Sequence, residues 1–338
     1  TFKGRFVVPH NTEVMGNVVT DLSKTNVQGL VAFNDALYFN TLKFSTANGG
    51  DSTLIIKADY PHLSDKLEFD FTIGEYIDYC NEKSLTPTLS NESLGTLNDV
   101  PNGYAMGGCS DGKYIYAAVN VGGNQVSRVH KYDLASGKLI AASKNFTVAE
   151  KDGDNSRLFI KDGIIYCIGQ DGKLFELALD KFEDNATFKE STLSFESLGA
   201  LKSAQYNQNF KKFALMVDNK LVITDEKQNV LCEGKTLSYP GFGASSLTAD
   251  DKYIYVSYVV NNRSDLPMDV FDWEGNKIKT VLVPNFGLGN NSSGGSVNFN
   301  VQCIFVHNGK LYASVCSWDS GYNKYNLFKI NFDKSALE

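Results

Sequence analysis

Six copies of one short hairpin pattern recur along the 338-residue chain. Each copy has an apolar strand, a turn rich in Asn, Asp, Gly or Lys, and a second strand that carries an aromatic residue. The copies lie at residues 33–38, 110–116, 161–166, 208–213, 250–255 and 307–312, and their aromatic anchors are Tyr38, Tyr116, Tyr166, Phe213, Tyr255 and Tyr312. A repeat of this size indicates that one supersecondary unit is used many times, so the repeat predicts the architecture.

The spacing of the anchors fits a propeller blade. Successive anchors are 78, 50, 47, 42 and 57 residues apart, and a four-stranded blade takes about 40–50 residues. Apolar and polar residues alternate onward into a third strand, as in 129–133 and 268–272, and turns such as 133–137 lead to a fourth. We therefore expect an all-β, six-bladed β-propeller of four-stranded antiparallel blades.

The two ends of the chain suggest how the ring closes. The last blade has strands at 301–306, 310–316 and 325–332 and then lacks a fourth, while residues 4–8 read Gly-Arg-Phe-Val-Val. Because closure removes the open edges of a sheet, we expect the N-terminal strand to complete the last blade.

The expected domain is a single propeller over residues 1–338, with an insertion at about 72–103. Within that insertion, Ile73 to Glu82 is the best candidate for a helix. A seven-bladed alternative would need another blade in residues 72–102, which Pro87, Pro101 and the scarcity of apolar alternation disfavour.

The Asp-Gly-Lys-x-Ile-Tyr type of hairpin and the Asp-to-Gly turns resemble those of the six-bladed β-propeller superfamily over almost the whole chain. These motifs are specific for the architecture and match no single family. The composition also resembles that of secreted, often lipid-anchored bacterial propellers. This resemblance, together with Thr1 in place of Met, leads us to expect an extracytoplasmic monomer, which is periplasmic, secreted or surface-anchored.

Composition excludes several other classes. The net charge of −7 argues against nucleic acid as a partner, because phosphate binding needs a basic face. No apolar run reaches the length of about 18 residues that a membrane helix needs. The six cysteines form no C-x-x-C pair, and most lie in apolar strand patterns, so we expect buried free thiols. A cross-strand disulfide between Cys303 and Cys316 is the alternative.

Catalytic and metal motifs find little support in the sequence. The histidines at 10, 62, 130 and 307 are scattered, and there is no Gly-x-Ser-x-Gly elbow. The segment 151–156 has oxygen donors, but it lacks the frame of a calcium loop, so a solvated turn is the default and calcium the weaker alternative. We therefore predict no catalytic residue, no metal ligand and no cofactor.

Aromatic and arginine residues mark the loops that are expected to surround the mouth of the central channel. Rings beside Asn and Gly suit a sugar or another flat polar ligand, and Arg suits a carboxylate. The predicted binding residues are Trp318, Tyr322, Arg263, Tyr239, Phe242, Tyr206 and Arg157. In the alternative interpretation, each ring packs on its own loop and each Arg pairs with a nearby Asp.

These observations favour a non-catalytic extracytoplasmic propeller that acts as a ligand-binding protein or an interaction scaffold. Its partner would be a carbohydrate, another small polar molecule, or another protein. The alternative is a propeller enzyme, namely a hydrolase, lactonase or lyase that acts on a sugar-like substrate.

Overall fold

The computed structural model describes residues 71–96, 105–120, 126–147, 157–169, 173–240, 242–258, 266–283, 299–317 and 326–332, together with the backbone of six strands within residues 1–70. The chain divides into two compact units, Thr1–Phe71 and Thr72–Glu338. The predicted insertion at 72–103 contributes a helix and a strand to the second unit, and the expectation of one domain over 1–338 stays a prediction.

The first unit holds the first copy of the hairpin pattern. Its strands are β1 (Arg5–Phe6), β2 (Glu13–Met15), β3 (Thr25–Phe33), β4 (Ala36–Lys43), β5 (Ser52–Asp59) and β6 (Leu67–Glu68). Strands β2, β5, β4 and β3 form one antiparallel sheet in that order, and β1 pairs with β6. The β3–β4 hairpin closes where Phe33 pairs with Ala36, as the sequence predicts.

The second unit contains five four-stranded antiparallel blades. Blade 1 comprises β8 (Ala105–Ser110), β9 (Ile115–Asn120), β10 (Val126–Tyr132) and β11 (Leu139–Ala142), with β12 (Phe146–Thr147) also on β10; blade 2 comprises β13 (Leu158–Lys161), β14 (Ile164–Ile168), β15 (Lys173–Ala178) and β16 (Lys189–Ser194). Blade 3 comprises β17 (Leu201–Asn207), β18 (Lys212–Val217), β19 (Lys220–Asp225) and β20 (Val230–Thr236); blade 4 comprises β22 (Phe242–Ala249), β23 (Tyr253–Tyr258), β24 (Leu266–Asp272) and β25 (Lys277–Val283), preceded by β21 (Ser238–Tyr239). Blade 5 comprises β26 (Phe299–His307), β27 (Lys310–Ser317), β28 (Asn326–Phe332) and β7 (Leu89–Thr96), and short 3-10 helices lie at Leu179–Lys181 and Glu196–Leu198.

The first strands of the five blades form the inner wall of a closed ring. Strand β8 contacts β13, β13 contacts β17, β17 contacts β22, β22 contacts β26, and β26 contacts β8. The prediction of a β-propeller with four-stranded blades is therefore confirmed, but the prediction of six blades is wrong. The sheet that contains the first hairpin copy belongs to the other unit, and the ring closes without it.

The ring is closed by β7, and the predicted closure by the N-terminal strand is wrong. Strand β7 pairs with β28 from Leu89 opposite Phe332 to Thr96 opposite Asn326, whereas Arg5–Phe6 pairs with Leu67–Glu68. Between Leu89 and Leu94 only Leu89 is buried. An outer strand makes few core contacts, so β7 lacks the apolar alternation that identifies a strand in a sequence.

The predicted helix is confirmed as α1 (Ile73–Glu82). It begins with a capping box, in which the Thr72 hydroxyl accepts a hydrogen bond from Glu75 N at 3.1 Å and the Glu75 carboxylate accepts one from Thr72 N at 3.1 Å. Its first amide, Ile73 N, donates to Gly309 O at 2.7 Å. Gly309 has φ +74°, and a side chain there would overlap Thr72, so both conformation and space require glycine. None of the described helices has the length and apolar character needed to span a membrane.

The five anchor aromatics of the ring explain the repeat. All five are buried near the start of a second strand. In blade 1 the Tyr116 hydroxyl donates to Asp111 Oδ2 at 2.6 Å, and Asp111 Oδ1 accepts from Lys113 N and Tyr114 N at 2.8 and 2.7 Å. In blade 1 the pattern therefore specifies a turn whose Asp side chain is held in place by the buried tyrosine of the second strand.

The five cysteines whose side chains the structure describes are free. Cys80, Cys109, Cys167 and Cys303 are buried, and Cys232 is half-buried. Cys303 lies beside Ser314, with Sγ 3.2 Å from Oγ, so the alternative of a disulfide with Cys316 is wrong and the prediction of buried free thiols holds for these four.

We expect Cys232 to react with a disulfide reagent in the folded protein, while the four buried thiols react only after unfolding. Burial raises the pKa of the Cys80 and Cys109 thiols and raises that of Cys167 to about 12, so little thiolate forms at neutral pH. Reaction with Ellman's reagent, with and without guanidinium, measures this in a Cys316→Ser background. Adding Cys232→Ser should abolish the fast phase, and a fast phase that survives would contradict the prediction.

Candidate functional site

The two ends of the ring differ in what they present. One end carries the turns between first and second strands, and we call it the hairpin face. The opposite end, where each first strand begins, is called the mouth face. Of the predicted binding residues, Trp318, Tyr322 and Arg263 lie outside the described residues, and Phe242 begins β22 with only its backbone described.

Tyr206 lies on the hairpin face. The sequence predicts Tyr206 in a loop at the channel mouth. It lies instead in β17, next to the last residue of that strand. Its hydroxyl donates to the Glu226 carboxylate, and Lys161 Nζ lies 4.8 Å from its ring centroid and 3.7 Å from Glu226 Oε1. The Tyr206 side chain therefore links blades 2 and 3 on the hairpin face. Tyr239 lies at the opposite end of the propeller.

Tyr239 lies on the mouth face, in β21, and is half-buried. Its ring centroid is 5.8 Å from that of Tyr258, which is fully buried. The Tyr258 hydroxyl donates to Asp269 Oδ2 at 2.6 Å, and Asp269 Oδ1 accepts from Thr280 Oγ1 at 2.6 Å and Lys277 Nζ at 2.8 Å. Burial, followed by the bond to Asp269, raises the pKa of the Tyr258 phenol. Tyr239 thus has a rigid neighbour whose own position is fixed by hydrogen bonds.

Arg157 also lies on the mouth face, immediately before β13. Only 4% of the residue is exposed, and its carbonyl accepts from Ile168 N at 2.8 Å. Burial raises the pKa of the nearby Cys167 thiol and the Arg157 charge acts in the opposite direction, which places the guanidinium within electrostatic range of that thiol. Arg157 is therefore a buried cation immediately before an inner strand, at the mouth face.

A further polar cluster joins blade 5 to blade 1 on the hairpin face, and the sequence analysis missed it. Ser110 Oγ is 2.5 Å from His307 Nδ1, and Asn308 Nδ2 donates to Gly112 O at 2.9 Å. In a six-bladed ring closed at the N-terminus, the blade of His307 would neighbour the hairpin at 33–38. In the five-bladed ring it neighbours blade 1, and the corresponding turns Ser110-Asp111-Gly112 and His307-Asn308-Gly309 meet.

The hydrogen bonds of this cluster fix the tautomer of His307. Asn308 Nδ2 is a donor, since it binds Gly112 O, and it lies 3.3 Å from His307 Nε2. Nε2 must therefore accept, so Nδ1 carries the proton and donates to Ser110 Oγ. Ser110 Oγ also accepts from Gly112 N at 2.9 Å. In this arrangement the imidazole does not accept the serine proton, so the pair is a structural contact in the resting state.

Within the residues that the structure describes, no group of three His, Cys, Asp or Glu side chains is placed to hold a metal ion. The weak calcium candidate at 151–156 lies outside those residues.

The strand order and register define the second unit as a five-bladed β-propeller. No protein-family model matches the chain, and no curated protein matches its sequence. Among solved structures, glutaminyl cyclase from Myxococcus xanthus is 12% identical over 73% of this chain and 98% of its own, with a TM-score of 0.49. A protein of unknown function from Bacteroides thetaiotaomicron is 9% identical over 93% of this chain and 100% of its own, with a TM-score of 0.41. A DUF4221 member from Bacteroides vulgatus is 14% identical over 95% of this chain and 99% of its own, with a TM-score of 0.32.

Proposed function

We propose that the protein is a non-catalytic binding propeller and that its ligand is a small polar molecule with a carboxylate or similar anionic group. The ligand docks on the mouth face, with Arg157 as its charged contact and Tyr239 as an aromatic one. The single observation that carries the proposal is the position of Arg157, a cation that is almost fully buried at the beginning of an inner strand.

The ring geometry supports this face as the binding site. Side chains from several blades converge around one molecule only at the ends of the inner strands. A guanidinium presents a planar fork that binds a carboxylate through two parallel hydrogen bonds, and it acts more strongly where water is excluded. Tyr239 offers a partly exposed ring held against Tyr258.

The remaining sequence-based candidates complete the proposed site. Phe242 begins an inner strand at the mouth face, and Arg263, Trp318 and Tyr322 stay sequence-based candidates for the same site. A protein partner is the alternative to a small ligand. The extracytoplasmic location and the monomeric state also belong to the proposal.

We expect Arg157→Lys to weaken binding of an anionic ligand about ten-fold or more, which corresponds to about 1.4 kcal/mol, because lysine keeps the charge but loses the bidentate contact. Matched pairs of a sugar acid and its neutral sugar, such as glucuronate with glucose and galacturonate with galactose, would be screened by thermal shift and titration calorimetry. The acid should raise the melting temperature and the neutral sugar should not.

Two aromatic variants locate the site. Tyr239→Ala and Trp318→Ala should weaken binding, whereas Tyr206→Ala, on the hairpin face, should not. Equal binding of acids and neutral sugars, or unchanged binding by Arg157→Lys, would contradict the proposal. Unchanged binding by Trp318→Ala alone would remove Trp318 from the site.

A hydrolase is the second candidate, and the Ser110–His307 contact is the observation that favours it. The tautomer deduced for His307 favours a structural role instead. Hydrolysis of p-nitrophenyl acetate by the wild type and by Ser110→Ala distinguishes the two. If the wild type hydrolyses the ester and the variant does not, the protein is a hydrolase and the binding proposal is wrong.

A further inference from the structure

Two of the histidines lie at the seam between the last blade and the first. We define this seam by Ser110 and His130 of blade 1 and by Cys303, His307 and Tyr312 of blade 5. Tyr132, two residues from His130 on the same face of β10, packs in one core cluster with Cys303, Phe305, Tyr312 and Leu327 of blade 5. His307 crosses the same seam through Ser110.

We propose that this seam is an acid-sensitive latch, which holds blade 5 against blade 1 only while His130 and His307 are neutral.

His130 is fully buried and its hydrogen bonds leave room for only one protonation state. Arg128 Nε donates to His130 Nε2 at 2.6 Å, so Nε2 accepts. Nδ1 therefore carries the proton and donates to the Tyr132 hydroxyl at 2.8 Å. A second proton on Nε2 would face a guanidinium that can only donate.

The position of His130 in the repeat shows that it replaces an apolar residue. His130 pairs with Ala117, the residue after the anchor of blade 1. The residues that pair with the corresponding positions in blades 2, 3 and 5 are Phe175, Ile223 and Phe328. In blade 4 the residue is Asp269, at a different seam. The core therefore accommodates an uncharged ring at this position. A charged side chain there needs a counter-ion, and Lys277 supplies one for Asp269.

His307 repeats the same arrangement. Its Nε2 faces the Asn308 amide nitrogen, which can only donate, and its Nδ1 faces a hydroxyl, that of Ser110. In both histidines, protonation would place two donors against each other. It would also add a charge that is fully buried at His130 and half-buried at His307. Both costs fall on contacts at or next to the seam.

The charged groups around the two rings do not compensate. His130 faces the Arg128 cation, and the titratable side chains in the adjoining described core cluster are those of Tyr132, Tyr312 and Cys303. Around His307 the nearby anion is Asp111, whose carboxylate is already bonded to Tyr116 and two backbone amides. Burial, and then the Arg128 charge, lowers the pKa of His130 to about 4. Burial also lowers the pKa of His307 and Asp111 opposes it, with burial the larger effect.

The direction of the pH effect follows. Because the closed seam binds fewer protons than the open one, its stability is fully present above the ordinary histidine pKa of about 6.5 and is lost as the pH falls toward the lowered values. With a pKa of about 4 for His130, the opening equilibrium of the seam should rise about 30-fold between pH 7.5 and pH 5.

The test is hydrogen exchange with mass spectrometry on the full chain, read as protection factors at pH 7.5 and pH 5.0. Peptides that cover β8, β10 and β26 report the seam, and peptides that cover β17 and β19 report the packing of blade 3 on its neighbours. We expect protection at the seam to fall about 30-fold while the blade 3 peptides change by less than about three-fold.

Variants keep the test independent of general acid denaturation. His130→Phe matches the residue found in blades 2 and 5, and His307→Gln keeps a hydrogen-bonding side chain that does not titrate. Together they should abolish the difference between the two pH values at the seam. Equal loss of protection in all blades, no loss at the seam, or the wild-type pH response in the double variant would each overturn the proposal. If the double variant does not fold, the comparison between seam and blade 3 in the wild type still decides.

Discussion

A chain that begins at residue 97 is expected to fail to form a stable ring, whereas a chain that begins at residue 72 is expected to fold. Residues 72–96 supply the outer strand of blade 5 and the helix α1, which buries Ile73, Tyr76 and Ile77. The Tyr76 ring also stacks on Phe332 with centroids 4.7 Å apart. Each fully buried side chain of this size contributes about 1.5–3 kcal/mol, so their joint loss approaches the about 5–15 kcal/mol that stabilises a whole domain.

Thermal melts followed by circular dichroism, with size-exclusion chromatography, measure this. Removal of residues 1–9 is the matched control, because a ring closed by β7 should keep its melting temperature, whereas a ring closed by the N-terminus would lose it. A cooperative melt for residues 97–338 within a few degrees of that of residues 72–338 would show that β7 does not close the ring.

Asp250→Ala is expected to destabilise the second unit by about 2–4 kcal/mol, because it leaves the buried Tyr255 hydroxyl and three backbone amides without their acceptor. Asp250 Oδ1 accepts from Lys252 N and Tyr253 N, each at 2.8 Å. Oδ2 accepts from the Tyr255 hydroxyl at 2.8 Å and from Gly74 N of α1 at 3.0 Å. Burial raises the pKa of this carboxyl, and the four hydrogen bonds act against that effect.

Asp111→Ala is the matched control for this prediction. Asp111 makes the same turn and the same tyrosine contact in blade 1, but it is exposed, and within the described residues no helix amide donates to it. Its loss should cost about 1–2 kcal/mol. Urea unfolding measures both, and equal destabilisation by the two variants would show that the helix contact adds nothing.

The hairpins and the helix could be predicted from the sequence because their signals are local. Turns such as Asp111-Gly112 and Asn308-Gly309 combine positive φ with side-chain acceptors. The aromatic rings that follow them are buried. The same residue types therefore recur at the same positions of the repeat. Helix α1 has a capping box and one apolar face, and it was predicted with its observed bounds.

The number of blades could not be read in the same way, because it depends on which segments pair over long distances. The hairpin at 33–38 has the local pattern of a blade but belongs to another unit. Strand β7 has almost no apolar residues in its Leu-Ser-Asn-Glu-Ser-Leu-Gly-Thr sequence and appears as a loop. The Ser110–His307 contact was missed for the same reason, since it exists only once blade 5 is placed beside blade 1.

For Arg157 and Tyr239, the sequence predicted residue types that suit a mouth-face site, and the structure places both at that end of the ring. Tyr206 was misplaced because residues 201–207 carry Ser, Gln and Asn among their apolar positions. An inner strand of a narrow ring packs closely against its neighbours, so small and polar residues replace the large apolar ones that the alternation rule expects.

The closure of blade 5 also sets the order of events during synthesis. Ser93 pairs with Phe328, so β7 is synthesised long before β28 and has no partner until β28 has left the ribosome. Blades 1 to 4 can form from local hairpins as they emerge, which is fast because loop closure is short. Meanwhile β7 remains an unpaired strand, the kind of segment that promotes association between nascent chains. Its Ser, Asn, Glu and Thr side chains keep the unpaired strand hydrated. It can therefore stay exposed to water until β26, β27 and β28 have been synthesised.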